Sequence, residues 1–159
     1  VVGLVGSEMC IRDRGRVDLV IERARAMGRT ADPVLRQELM KLISFQRASE
    51  WTAGRAKAAR ALGRPPGSEG SIGKLALSEV ARRCNHVHSM ISGPRALLRE
   101  SDDPIDAVIA EVLVSTPAQS IAGGTDEIQH NILGENMLGL PKEPPADRGV
   151  PFREVGRGA

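Results

Sequence analysis

Apolar residues recur at every third or fourth position, and Gly or Pro clusters punctuate them at intervals of a helix length. No run alternates apolar and polar residues over a strand's length, so the pattern admits helices and argues against sheets. Gly15–Gly28 carries Val17, Val20, Ile21, Ala24 and Met27 at helical spacing, with Gly28 as its stop. Asp32-Pro33 then offers an N-cap and a proline at the first helical position. Leu35, Leu39, Leu42 and Ile43 form the stripe of this second helix. Ala53, Ala56, Ala59 and Leu62 extend it to Gly63, and small residues there would let a neighbouring helix approach closely.

Arg64-Pro65-Pro66-Gly67 is a break. A third helix starts at Ser68 or Ser71 and ends at Ser92, before Gly93-Pro94. Its expected inner face is Ile72, Leu75, Ala76, Val80, Cys84, Val87 and Ile91. Asp102-Asp103-Pro104 opens a fourth helix, with Ile105, Val108, Ile109, Val112 and Leu113 expected inward, and Thr116-Pro117 interrupts it. Thr125 can cap a last helix, with Asp126 and Glu127 in its first turn, where the helix dipole favours acids. Ile128, Ile132, Leu133 and Met137 are its expected buried face, and Gly139 and Pro141 stop it. The expected fold is all-α: an antiparallel four-helix bundle with a short extra C-terminal helix.

Composition agrees. Trp51, Phe45 and Phe152 are the only aromatic residues, which is poor material for a β-sandwich or barrel. The 22 basic and 20 acidic side chains leave a net charge of +2, too balanced for a nucleic-acid-binding face. The arginines at 23, 25, 29, 36, 47, 55 and 60 are interleaved with Glu22, Glu38 and Glu50, as on a solvated, salt-bridged surface. No apolar run approaches the roughly 20 residues of a membrane span. Cys10 and Cys84 imply no disulfide framework, and a reducing cytoplasm fits them. Cys84 and His88 share a helix face, but His86 does not and no two-cysteine knuckle exists, so no metal site is expected.

The ends differ in style from the body. Val1–Arg14, VVGLVGSEMCIRDR, lacks helical periodicity and the n- and h-regions of a signal peptide. It resembles a translated sequencing-library adapter, so residues 1–14 are expected to be non-native and native sequence upstream of Gly15 to be missing. An ordinary flexible terminus is the alternative. The domain is expected to span 15–141. Residues 142–159, with Pro144, Pro145 and Pro151, are expected to be an extended or disordered tail.

Ile121–Pro141 reads IAGGTDEIQHNILGENMLGLP. It closely resembles the C-terminal signature of the acyl-CoA dehydrogenase family, a Gly-Thr-x-x-Ile-Gln core followed by an apolar helix and Leu-Gly-Leu-Pro. Gly124, Thr125, Glu127, Ile128, Gln129, Asn131, Ile132, Gly134, Glu135, Leu138, Gly139, Leu140 and Pro141 all fit. Asp32–Leu39, Ser71–Leu75 and Gly93-Pro94 resemble a bacterial branch of that family more weakly.

The resemblance implies an FAD enzyme that oxidises an acyl-CoA thioester at its α and β carbons, in a homo- or hetero-oligomer. Electron-transferring flavoprotein would be its acceptor. It implies that the Gly123 N–H donates to the thioester carbonyl and that Gly124, Thr125, Asp126 and Glu127 lie at the FAD. From the residues alone, a glycine turn feeding a capped helix with no ligand is the competing reading. Many members carry the catalytic Glu where this chain has Gly123. Other branches place the base in a Glu-Arg pair near the start of this domain. Glu22-Arg23 fits that pair superficially, although the alignment with the bacterial branch puts the pair upstream. The Arg-x-x-Phe-Gly and Gln-x-x-Gly-Gly-x-Gly segments that contact FAD phosphates in better-known members are absent, and Met90–Pro94 stands where the latter would be. A fragment so built is expected to be inactive by itself. A non-catalytic subunit of a heteromeric dehydrogenase and a flavin-free helical interaction module are the alternatives.

Overall fold

The computed structural model describes residues 17–98, 104–142 and 149–154. It is all-α. Five α-helices follow one another among the described residues: α1 Val17–Ala26, α2 Pro33–Ala61, α3 Glu69–Ser92, α4 Pro104–Ser115 and α5 Asp126–Asn136. Short 3-10 turns at Gly93–Leu97 and Thr116–Ser120 lead into α4 and towards α5. The proposed non-native segment, Cys10 and the Asp102-Asp103 cap lie outside the described residues, as does most of the tail. In the tail, Phe152–Glu154 forms one 3-10 turn.

The boundaries follow from local chemistry. Asp32 caps α2, its Oδ1 accepting from the N–H of Val34 at 2.9 Å and of Leu35 at 3.2 Å, with Pro33 first in the helix. At the other end Gly63 takes φ +75, its N–H donates to Arg60 O, and the Arg64 N–H donates to Ala59 O. That pair of bonds reverses the chain tightly and satisfies the last carbonyls of α2. The hairpin α2–α3 results. The core joins three helices: Val17, Val20 and Ala24 of α1, Leu35, Leu39 and Leu42 of α2, and Val80, Cys84, Val87 and Ile91 of α3. Burial pushes the Cys84 thiol up to about 12, with the Asp18 carboxylate adding to the effect, so it behaves as a core hydrophobe.

The second half of α2 departs from expectation. Ala53 and Leu62 are exposed and Trp51 is 73 % exposed. Between this half and α3 lies a shallow groove lined by Ala53, Ala56 and Arg60 of α2 and by Glu69, Ile72 and Ala76 of α3. On α3, Ile72 and Leu75 are only half-buried.

The C-terminal helices are rotated from their expected registers. Ile105 and Val108 of α4 are exposed, and the buried ridge is Asp106, Ile109 and Val112, with Thr116 in the turn beyond. Asp106 is fully buried because two guanidinium groups meet it there. Arg23 of α1 binds its Oδ1, and Arg95 of the turn after α3 binds its Oδ2 at 2.9 Å. Arg23 Nε also donates to Ser92 Oγ at 3.3 Å. In α5, Ile128 is 50 % exposed and Met137 is exposed, while Asp126 and Gln129 are buried. Ile132 and Leu133 are half-buried.

Two predictions follow from this packing. A buried carboxylate between two cations leaves uncompensated charge when removed, so Asp106→Ala should destabilise the fold by about 3–5 kcal/mol. Urea denaturation checks it, and a loss below about 1 kcal/mol, the range of an exposed pair, would contradict the role given to Asp106. His88 supplies the second. Burial, aided by the Arg23 charge, pulls its imidazole down to about 4 from its ordinary 6.5. The native state then resists a proton that the unfolded state accepts. Stability should be fully present above about pH 6.5, fall as the pH drops towards about 4, and level off in this component below that. Unfolding free energies measured between pH 7.5 and 4.5 should fall more steeply for the parent chain than for His88→Gln.

Candidate functional site: the double-glycine turn before α5

The Thr116–Ser120 turn, with Pro117 in its second position, delivers the chain to Ile121 and Ala122, whose N–H groups both donate to Ala118 O. Gly123 and Gly124 follow with φ +71 and +94, a left-handed pair that side chains disfavour. Thr125 then caps α5, its Oγ1 accepting from the Ile128 N–H at 3.3 Å. Among the described residues no acceptor meets the N–H groups of Gly123, Gly124 or Thr125. Three successive donors are therefore available beside the positive end of a helix, a geometry suited to anions and polarised carbonyls.

The turn is held from behind. Gln129 Nε2 donates to Gly123 O at 3.0 Å across one helical turn. Asp126, 8 % exposed, lies between Lys74 Nζ at 2.6 Å and Arg82 Nη1 at 2.8 Å, both from α3. Burial acts to raise the Asp126 pKa. The hydrogen bonds from Lys74 and Arg82, then Ser78 and Ser120, outweigh it and hold the carboxyl well below its usual range. Ser78 Oγ also donates to Gln119 O at 3.0 Å, and Arg82 reaches Ser120 Oγ. Glu127 is exposed. Its own N–H and the Thr125 hydroxyl hold its carboxylate below its ordinary value.

The structure thus gathers Gly123, Gly124, Thr125 and Glu127 at one turn and turns the Asp126 carboxylate inward. Glu22 is not brought to them: it is exposed on α1, which packs on α2 and α3. Sequence reasoning missed Lys74, Ser78 and Arg82. Their spacing of four residues, one polar row on α3, was the available signal. His86 is exposed and His88 half-buried, and no three His, Cys, Asp or Glu side chains among the described residues are grouped to hold a metal.

The family described as "Acyl-CoA dehydrogenase, C-terminal domain" matches residues 7–138. The chain belongs to the acyl-CoA dehydrogenase family, as its C-terminal domain. Its match begins within the segment that the sequence alone set aside. Acyl-CoA dehydrogenase IpdE1 of Mycolicibacterium smegmatis is 30% identical over 128 residues, which cover 78% of this chain and 30% of that protein. The solved Tcur3481-Tcur3483 steroid ACAD shares the fold with a TM-score of 0.69 at 17% identity, over 85% of this chain and 35% of that one. A variant of the same assembly gives 0.67 at 18% identity, with the same coverage. The chain spans about a third of the length of these relatives. Among the described residues no helix is long and apolar enough to cross a membrane.

In this acyl-CoA dehydrogenase domain the second glycine is the more constrained. A Cβ on Gly124 would lie 2.7 Å from Gln129 Nε2 and would sit at φ +94. Gly124→Ala should therefore cost about 1–3 kcal/mol in backbone strain and displace the Gln129–Gly123 bond. Thermal unfolding of the variant, compared with Gly54→Ala on the exposed side of α2, checks this. Equal midpoints for the two would show that the turn is not held in this conformation.

Proposed function

We propose that this chain is part of an FAD-dependent acyl-CoA dehydrogenase that introduces an α,β double bond into an acyl-CoA thioester, and that the Gly123–Thr125 turn lines its flavin and thioester site. The observation that carries this reading is the row of three N–H groups without acceptors, within the segment where the family signature is strongest. The fit to the cofactor and substrate is chemical: a glycine pair without Cβ atoms, a free row of donors and a helix N-terminus suit close approach by polar oxygens. FAD, when bound, would accept the hydride that leaves the β-carbon.

The remaining tasks fall to the protein. Loss of the α-proton makes the thioester carbonyl oxygen negative, and a fixed donor aimed at that oxygen stabilises it more than the ground state. The Gly123 N–H is the candidate donor. The N–H groups of Gly124 and Thr125 and the start of α5, including Glu127, are the candidate flavin contacts. Asp126 contributes through its backbone, since its carboxylate is engaged by Lys74 and Arg82. Glu22, solvated on α1, is a poor candidate for the base, so the carboxylate that takes the α-proton is assigned to a segment beyond these helices. The isolated 159-residue chain is accordingly inactive in this reading. Electron-transferring flavoprotein is the proposed acceptor, and a homo- or hetero-oligomer the proposed assembly.

A second reading is a non-catalytic subunit of a heteromeric dehydrogenase. Gly123 is compatible with it, because the chain has no carboxylate at the position where many members carry one. One experiment separates the two. The full-length protein, purified with its flavin, is titrated with a panel of acyl-CoA thioesters while visible absorbance is recorded. Bleaching of the flavin band is expected for the enzyme. Bound flavin that no thioester bleaches, until a second subunit is added, would assign this chain to the non-catalytic role. Absence of flavin after reconstitution would refute both.

A further inference from the structure

We propose that Lys74 and Arg82 are positioning residues for the glycine turn: acting through the buried Asp126 carboxylate, they set the direction in which the free N–H groups of Gly123–Thr125 point. The catalytic part of this inference rests on the dehydrogenase reading; the structural part does not.

The geometry assigns these residues more than a surface role. Asp126 is the first residue of α5, directly after the Thr125 cap, so fixing its side chain fixes the entry of the helix. Its two oxygens are divided between two cations, Oδ1 to Lys74 and Oδ2 to Arg82. These cations sit eight residues apart on α3, about two helical turns, so the carboxylate is held at two points along that helix's axis. Between them Ser78 binds Gln119 O, and Arg82 binds Ser120 Oγ, on the chain entering the turn. One row of α3 side chains thus grips the chain both before and after Gly123-Gly124. The glycines have no side chains of their own to supply this anchorage, and their left-handed conformations are open to many alternatives. Gln129 closes the remaining side through Gly123 O. A ligand-facing donor row built on two glycines needs such external anchorage to keep its direction, and misdirection of a hydrogen-bond donor is costly to a reaction that depends on it.

Neither Lys74 nor Arg82 belongs to the donor row. Substituting them should therefore alter the turn without removing a contact to thioester or flavin. The test uses the full-length protein with its flavin, comparing Lys74→Met and Arg82→Met with the conservative Lys74→Arg and Arg82→Lys. Hydrogen exchange is read at the amides of Ala122, Ile128 and Gln129, which are bonded on either side of the turn, and at Leu39 and Leu42 in α2 as a control. We expect exchange at the first three to quicken by about tenfold in the Met variants with the α2 amides unchanged, and Lys74→Arg to restore most of the protection.

In the same variants kcat should fall by about tenfold with KM for the acyl-CoA within about twofold, the signature of a contact improved in the transition state. Quickening of all amides alike would reduce the pair to general stability and overturn the proposal. So would unchanged exchange at the turn, or a loosened turn with kcat retained in an active enzyme. If a Met variant fails to fold, Arg82→Lys, which keeps the charge and loses the fork, is expected to show the same pattern in smaller measure. A parent protein that carries no flavin, with Met variants that still show the expected exchange, would sink the dehydrogenase reading and leave the structural positioning intact.

Discussion

Two buried aspartates orient the C-terminal half of this domain. Asp106 lies in the first turn of α4 and Asp126 begins α5, where the helix dipole already favours negative charge. Each is drawn inward by two basic side chains supplied from outside its own helix: Arg23 and Arg95 for Asp106, Lys74 and Arg82 for Asp126. Burying a carboxylate without such partners would cost several kcal/mol. With them, the charged residue becomes the anchor of its helix. This is why α4 buries the ridge through Asp106, Ile109 and Val112, and why α5 buries Asp126 and Gln129.

The helix α3 mediates between the two halves by having unlike faces. Val80, Cys84, Val87 and Ile91 complete an apolar core with α1 and α2. Lys74, Ser78 and Arg82 form a polar row that receives the Thr116–Ser120 turn and α5, and Ser92 at the end of the helix meets Arg23. The apolar face supplies most of the stabilisation, since burial scales with area removed from water. The polar row supplies direction, because hydrogen bonds and ion pairs work only over a narrow range of distance and angle. A site made of backbone donors on two glycines depends on the second property more than on the first.

Membership in the acyl-CoA dehydrogenase family gives that site a chemical context, and the chain accounts for about a third of its relatives' length. The features that would serve the chemistry here are main-chain groups and their anchors. Glu22, weighed as the carboxylate base, is solvated on α1, and the Asp126 carboxylate is paired with Lys74 and Arg82. In the proposed function, the domain's contribution is positioning and polarisation, work suited to a rigid helical scaffold.

What could be read from the residues in order was whatever depends on neighbours along the chain. The Asp32 cap with Pro33, the stop at Gly63, the break at Gly93-Pro94 and the Thr125 cap of α5 all stand as local chemistry requires, and the apolar row Val80, Cys84, Val87 and Ile91 faces the core. The glycine pair and its signature were equally legible, because they are a continuous string. Tertiary structure alone decided which side of α4 and α5 faces inward. Periodicity marks the residues that share a face and ranks faces by hydropathy, so it placed Ile105, Val108, Ile128 and Met137 inside and gave no sign that Asp106 and Asp126 are buried. The cations that reverse this lie 83, 11, 52 and 44 residues away in sequence, and nothing local announces them. A carboxylate's preference for the interior is set by what waits for it there, and that is a property of the folded arrangement.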